Sequence, residues 1–149
     1  MREVTVTKRD DRETRVRRFY DDVWSQGDMD AADEILDPDF RFILTFLTIE
    51  DREALKALVR YNRGVFEGLT YTCAPGDVVV DGDSAAAYWT MKARHVGEWR
   101  KVPASHADVS IQGLSFFRFS ADGSIRDVRV HNDVLGLMLQ IGGARLLYG

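Results

Sequence analysis

The hydrophobic period of this chain changes once, at Gly68, and that switch restricts its fold more than any single motif. Upstream, apolar residues recur at helical spacing. Val16, Phe19, Tyr20 and Val23 stand at i, i+3, i+4 and i+7, which predicts a helix over residues 12–26 that Gly27 ends. Asp28 is placed to cap a short second helix carrying Ala31, Ala32, Ile35 and Leu36, and Pro38 closes it. Residues 40–47 read as a short strand. Thr48 then reads as the cap of a third helix, with Leu55, Leu58, Val59 and Phe66 as its stripe.

Downstream the period is two. Leu69, Tyr71 and Cys73 alternate with Thr70 and Thr72. Asp81-Gly82-Asp83 and Asp122-Gly123 are hairpin signals. They bound long strands over 84–98 and 107–119 and a last strand over 125–132. Asp133 is placed to cap a tail helix over 134–141, ended by Gly142 and Gly143. Helices set apart from a run of strands define an α+β fold. The expected form is a cone: a curved antiparallel or mixed sheet, closed by three N-terminal helices, with a short C-terminal helix. Such a mouth favours a ligand pocket. A chain of 149 residues fits one domain, 1–149, with its core over about 13–144.

Charge narrows the function. Lys plus Arg number 20 against 24 Asp plus Glu, a net charge of -4, which argues against nucleic acid. The basic run Lys8, Arg9, Arg12, Arg15, Arg17 and Arg18 is interleaved with Asp10, Asp11 and Glu13, and reads as a solvated helix start. Cys73 is the only cysteine, so neither an internal disulfide nor a cysteine zinc site is expected. No apolar run reaches membrane-spanning length and the N-terminus lacks a signal-peptide core, so the cytoplasm is the expected compartment.

Several stretches resemble the SnoaL-like polyketide cyclases of the nuclear-transport-factor-2-like superfamily. They are Arg18-Phe19-Tyr20 through Val23-Trp24-Ser25-Gln26-Gly27-Asp28, and Asp37-Pro38-Asp39-Phe40. Trp89-Thr90 with His95-Val96-Gly97-Glu98-Trp99 is similar to a family strand, and Gln112-Gly113-Leu114 with Phe117-Arg118-Phe119 to a family hairpin. The close, Asp133-Val134-Leu135-Gly136-Leu137 with Gln140-Ile141-Gly142, is similar too. The resemblance implies the cone fold, an apolar pocket for a small organic molecule, cofactor-free acid–base chemistry and a homodimer. Superfamily relatives include aldol cyclases, ketosteroid isomerase, limonene epoxide hydrolase and scytalone dehydratase, and also proteins that only bind.

The chemistry is where this chain departs. The family's acid/base Asp falls on Val130 and its assisting His near Phe116. His95, His131 and Asp127 are the candidates for catalysis. His95 is the best retained polar match, and its reference pKa near 6.5 suits proton transfer. His131 stands in a row with Asp127, Arg129 and Asp133, where a carboxylate would orient an imidazole. Each has a structural reading beside the catalytic one: a strand-end His bonded to its neighbours, and an exposed ion network. Candidate ligand contacts are Tyr20, Trp24, Tyr61, Tyr88, Phe116, Val130 and Asn132. His106 reads as a loop-tip residue. The three His show no metal-ligand spacing. Two readings follow: a cyclase, isomerase, dehydratase or hydrolase, or a binding protein without the acid–base pair. A cavity lined only by apolar groups, Asn132 and tyrosines would disfavour the first.

Overall fold

The computed structural model describes residues 5–148. Helix α1 (Lys8–Arg18) begins at Thr7, whose hydroxyl accepts the Asp10 N–H at 3.0 Å. Asp10 and Asp11 occupy its first turn and Arg15, Arg17 and Arg18 its last, the order the helix dipole favours. These cations are engaged within the molecule. Arg12 is only 3% exposed, meets Asp83 at 2.7 Å and lies over the Phe119 ring. The expectation of a solvated helix start is therefore corrected at Arg12, whose stem and guanidinium fill space between helix and sheet.

The helix then widens into a π-helical turn, Phe19–Trp24, in which the Ser25 N–H bonds back to the Tyr20 carbonyl. Helix α2 (Met29–Ile35) is capped by Asp28, as expected. It ends before Pro38, which lies inside strand β1 (Leu36–Ile43). Thr48 is not a cap: it opens a short strand β2 (Thr48–Glu50) paired with β1. Asp51 caps α3 (Arg52–Val65), its carboxylate accepting the Ala54 N–H at 2.7 Å. Gly68 lies within β3 (Phe66–Thr72), at a register shift and with φ +66°. The period changes at Phe66, where β3 begins, because an aromatic residue serves a helix stripe and a strand equally well.

Strands β4 (Val78–Asp81) and β5 (Ser84–His95) meet at the Gly82 turn, followed by β6 (Asp108–Phe119) and β7 (Ile125–Asn132). Helix α4 (Val134–Ile141) is capped by Asp133 and ended by left-handed Gly142. The sheet runs β2-β1-β7-β6-β5-β3, with β4 also on β5. Only β1 and β7 pair in parallel, so the sheet is mixed. Register shifts in the pairings of β1, β3 and β6 bend the strands. The result is the α+β cone: a curled sheet whose concave face is covered by the helices. Burial alternates strictly along β6, with Val109, Ile111, Gly113, Ser115, Phe117 and Phe119 inward.

Candidate functional site

The helices do not fill the cone. A cavity of about 260 Å³ remains between the π-helical turn, α3 and the concave face of β5, β6 and β7. It lies just below the roughly 300–1,000 Å³ range of sites for drug-sized ligands. Its mouth is marked by the exposed Leu47, Tyr61 and Arg100.

The π-helical turn brings Phe19, Tyr20 and Trp24 to the cavity together. Its end is secured by α3. Arg63 donates to the carbonyls of Trp24 at 3.0 Å and Ser25 at 2.6 Å. Gly27, with φ +68°, leaves room for that guanidinium: a Cβ there would stand 2.8 Å from Arg63 Nε. Ser25 in turn holds β3, donating to the Tyr71 carbonyl at 3.1 Å and accepting the Tyr71 N–H at 2.9 Å. Tyr71 stacks on Tyr20 and meets the Trp89 edge, giving the cavity an aromatic wall.

At the floor, Ser115 projects inward from β6. Its hydroxyl lies 2.6 Å from Tyr20 Oη and accepts Trp89 Nε1–H at 2.9 Å. Trp89 reaches it because its cross-strand partner is Gly113. A Cβ on Gly113 would overlap the indole ring. Burial holds the Tyr20 phenol well above its ordinary pKa, an effect the Ser115 hydrogen bond partly opposes. Burial raises Tyr71 as well. Both stay protonated donors.

Among the described residues, no Asp, Glu or His lines this cavity, and Arg100 is its only charged lining residue. Arg100 stacks on Trp99, 4.9 Å from the ring centroid, in a tight turn where Arg100 and Lys101 have φ of 47° and 67°. No group of three or more His, Cys, Asp or Glu that could hold a metal occurs among the described residues.

The candidates from sequence separate by face. Tyr20, Trp24, Tyr61, Val130 and Asn132 line the cavity. Tyr61 also donates to the Glu98 carbonyl at 3.1 Å. Tyr88 and Phe116 do not line it. They are 39% and 40% exposed on the convex face, because each is one residue out of phase with the inward set. His131 and Asp127 alternate with Val128 and Val130 and also point away from the cavity. Asp127 Oδ2 lies 3.4 Å from Arg126 Nε, and its Oδ1 is buried without a partner.

His95 is inward and fully buried, yet it does not line the cavity. It packs against Phe66, which does. Its Nδ1 accepts the Ser105 N–H at 3.1 Å and lies 2.9 Å from Ser105 Oγ, while Nε2 has no partner. The bonding partner is thus Ser105, ten residues on. His106 is exposed, with φ 58°. Cys73 lies just past β3, its thiol pushed up to about 11 by burial. Sequence reasoning passed over Ser115, Gly113 and Arg100. The signal for the first two was present in the parity of Ile111, Gly113, Ser115 and Phe117.

Comparison with known proteins agrees with this architecture. The SnoaL-like polyketide cyclase family model matches residues 14–141, and the chain belongs to that family. Among solved structures, a candidate SnoaL-like polyketide cyclase from Jannaschia sp. CCS1 is 23% identical, with a TM-score of 0.82 over 97% of this chain and 99% of that one. TsrD from Streptomyces laurentii is 26% identical, with a TM-score of 0.78 over 95% and 100%. AclR from Streptomyces galilaeus, a candidate hydroxylase, is 18% identical, with a TM-score of 0.75 over 90% and 97%. One fold thus carries names for different chemistries. No curated protein matches the chain.

Proposed function

We propose that this SnoaL-like protein binds a small, flat, hydrophobic molecule in its aromatic cavity and does so without an acid–base pair of its own. The observation that carries this reading is the composition of the cavity wall, which holds aromatic and aliphatic groups, hydroxyls and amides, and no carboxylate or imidazole. A cyclase or isomerase working by C–H deprotonation needs a base within hydrogen-bond reach of its substrate. Val130 occupies the wall where the family resemblance places the acid/base Asp. His95 offers no base at Nδ1, which is already an acceptor for Ser105. Ligand binding, shaping or protection from water is what remains to this chamber. Cofactor-independent aldol cyclisation is the competing reading, supported by family membership.

All three tryptophans of the chain, Trp24, Trp89 and Trp99, line the cavity, so intrinsic fluorescence reports directly on its occupancy. Titration with bicyclic aromatic compounds is expected to quench or shift this emission. Incubation of aromatic β-keto esters in heavy water is expected to give no carbon-bound deuterium above buffer. Exchange that disappears in His95→Ala would establish the competing reading.

We also propose that a second copy of the chain covers the convex face. Val79 and Leu114 are 57% and 56% exposed there, next to Tyr88 and Phe116, an apolar patch that association would remove from water. Light scattering at micromolar concentration tests this, and a monomer would refute it. Among the described residues no helix is long and apolar enough to cross a membrane. A lone, part-buried Cys73 supports a reducing compartment, the cytoplasm being our reading.

A further inference from the structure

We infer that Tyr20 and Ser115 together hold one spare hydroxyl hydrogen at the cavity floor, and that this is the subsite for a carbonyl oxygen of the ligand. The inference rests on the reading of the cavity as a ligand chamber and adds to it the chemistry the ligand must carry.

An indole N–H can only donate, so Trp89 Nε1 at 2.9 Å fixes Ser115 Oγ as an acceptor. The contact between Tyr20 Oη and Ser115 Oγ, at 2.6 Å, accommodates one hydrogen. The two hydroxyls bring two. If Tyr20 donates to Ser115, the serine hydrogen is left over. If Ser115 donates to Tyr20, the phenol hydrogen is left over. Either way one donor remains, on residues only 2% and 3% exposed, both lining the cavity.

A buried donor without a partner is costly, so the cavity favours a molecule that supplies an acceptor at this point. The wall offers no carboxylate or imidazole to take the hydrogen instead. A carbonyl oxygen accepts and does not donate, so it fits a site whose surplus is in donors. The aromatic wall of Tyr71 and Trp89 beside it suits a planar ring bearing that carbonyl. Tyr20 remains a phenol across the neutral range because burial raises its pKa. Gly113 positions the cluster by leaving the space in which the Trp89 ring lies.

The arrangement has an unusual consequence for mutation. Removing either hydroxyl alone leaves the other with its hydrogen free. Tyr20→Phe leaves the Ser115 hydroxyl to donate, and Ser115→Ala leaves the Tyr20 phenol. The double variant loses both hydroxyls but frees the Trp89 indole N–H, whose acceptor was Ser115 Oγ, so only a triple variant that also carries Trp89→Phe loses the donor altogether. The contribution of the three residues to carbonyl recognition is therefore strongly non-additive.

The test is calorimetric titration of the whole protein with 1-tetralone and with tetralin, which shares its bicyclic frame and lacks the carbonyl. The wild type is expected to bind 1-tetralone roughly tenfold more tightly than tetralin, the scale of one satisfied buried donor. That preference is expected to stay within about threefold in Tyr20→Phe and in Ser115→Ala, and to vanish in Tyr20→Phe/Ser115→Ala/Trp89→Phe, where the indole N–H that Ser115 held is removed as well. Retained tetralin affinity in the triple variant shows that its cavity is intact. The infrared carbonyl stretch of 1-tetralone bound to the wild type is expected below its value in hexane, and this readout needs no variant. Equal wild-type affinities, or an unshifted carbonyl stretch, would overturn the carbonyl subsite while leaving the ligand chamber standing. Binding of neither compound would overturn the chamber reading itself, and the subsite with it.

Discussion

The concave and convex faces of β6 and β7 carry similar residue types to different ends. Phe117 and Phe116 are sequence neighbours in one strand. Phe117 is fully buried and packs edge-on against Phe19, whereas Phe116 is 40% exposed beneath the Arg118 guanidinium. On β7, Val130 lines the cavity while His131 next to it faces outward. Aromatic groups are thus available on both faces of β6, and an imidazole only on the convex face of β7. Parity along the strand decides which of them meets a ligand.

The strongest way to break this comparison is to truncate each phenylalanine in turn. Phe117→Ala is expected to cost about 3–5 kcal/mol, since it removes a fully buried ring from the core. Phe116→Ala is expected to change the stability of the fold by less than about 1 kcal/mol. Chemical denaturation measures both. Comparable losses at the two sites would mean that the convex face is as tightly packed as the concave one, as an extensive subunit interface would make it. Running Phe116→Ala across protein concentration separates these causes, because an interface loss depends on concentration.

An addition to the concave face gives the next effect in size. Gly113→Ala places a methyl where the Trp89 ring lies, and the ring is buried. The expected cost is about 1–3 kcal/mol of overpacking. Displacing Trp89 also removes its hydrogen bond to Ser115, so ligand affinity and tryptophan emission should change together. Leu114→Ala, one residue away on the convex face, should leave both unchanged. An unperturbed emission spectrum in Gly113→Ala would show that Trp89 has another place to go.

Much of this was legible in the sequence. The two hairpin turns, β7 and α4 came directly from period-two alternation, Asp-Gly pairs and the Asp133 cap. The resemblance carried the cone fold. What sequence misplaced has identifiable causes. Thr48 and Asp51 are both good caps, and only the pairing of Thr48 with Ile43 in the sheet selects Asp51. Gly68 looks like a helix stop, but its positive φ serves a strand irregularity instead. For the site, alternation already separated Val130 and Asn132 from Asp127 and His131. The chemistry of an imidazole beside carboxylates is attractive enough to suggest a catalytic row wherever it occurs, and parity overrules it here. Tyr88 and Phe116 were misplaced for the same reason. Arg100 was invisible because its position at the mouth depends on a turn that two non-glycine residues make at positive φ.

The smallest expected effect is a null, and it tests the wall composition most directly. No lining residue carries a group that ordinarily titrates between about pH 5 and 9, since the cavity has tyrosines, amides, a serine and one arginine. Affinity for a neutral bicyclic ligand is therefore expected to be flat over that range. Replacing His131 by Ala should leave the flat profile as it is. An inflection near pH 6.5, where an ordinary imidazole titrates, would mean that His95 or His131 is coupled to the cavity after all. The alkaline limit is set by Tyr20 and Tyr71. Their folded-state pKa values are raised by burial, so their contribution to stability is present below the unfolded value of about 10 and is lost as pH rises through the folded values. Thermal melts should hold level up to about pH 8, decline slightly from about pH 9, where the buried Cys73 thiol with its pKa pushed up to about 11 begins to lose its contribution, and fall more steeply beyond pH 10. In Tyr20→Phe one of the two groups is gone, and the alkaline fall should be shallower.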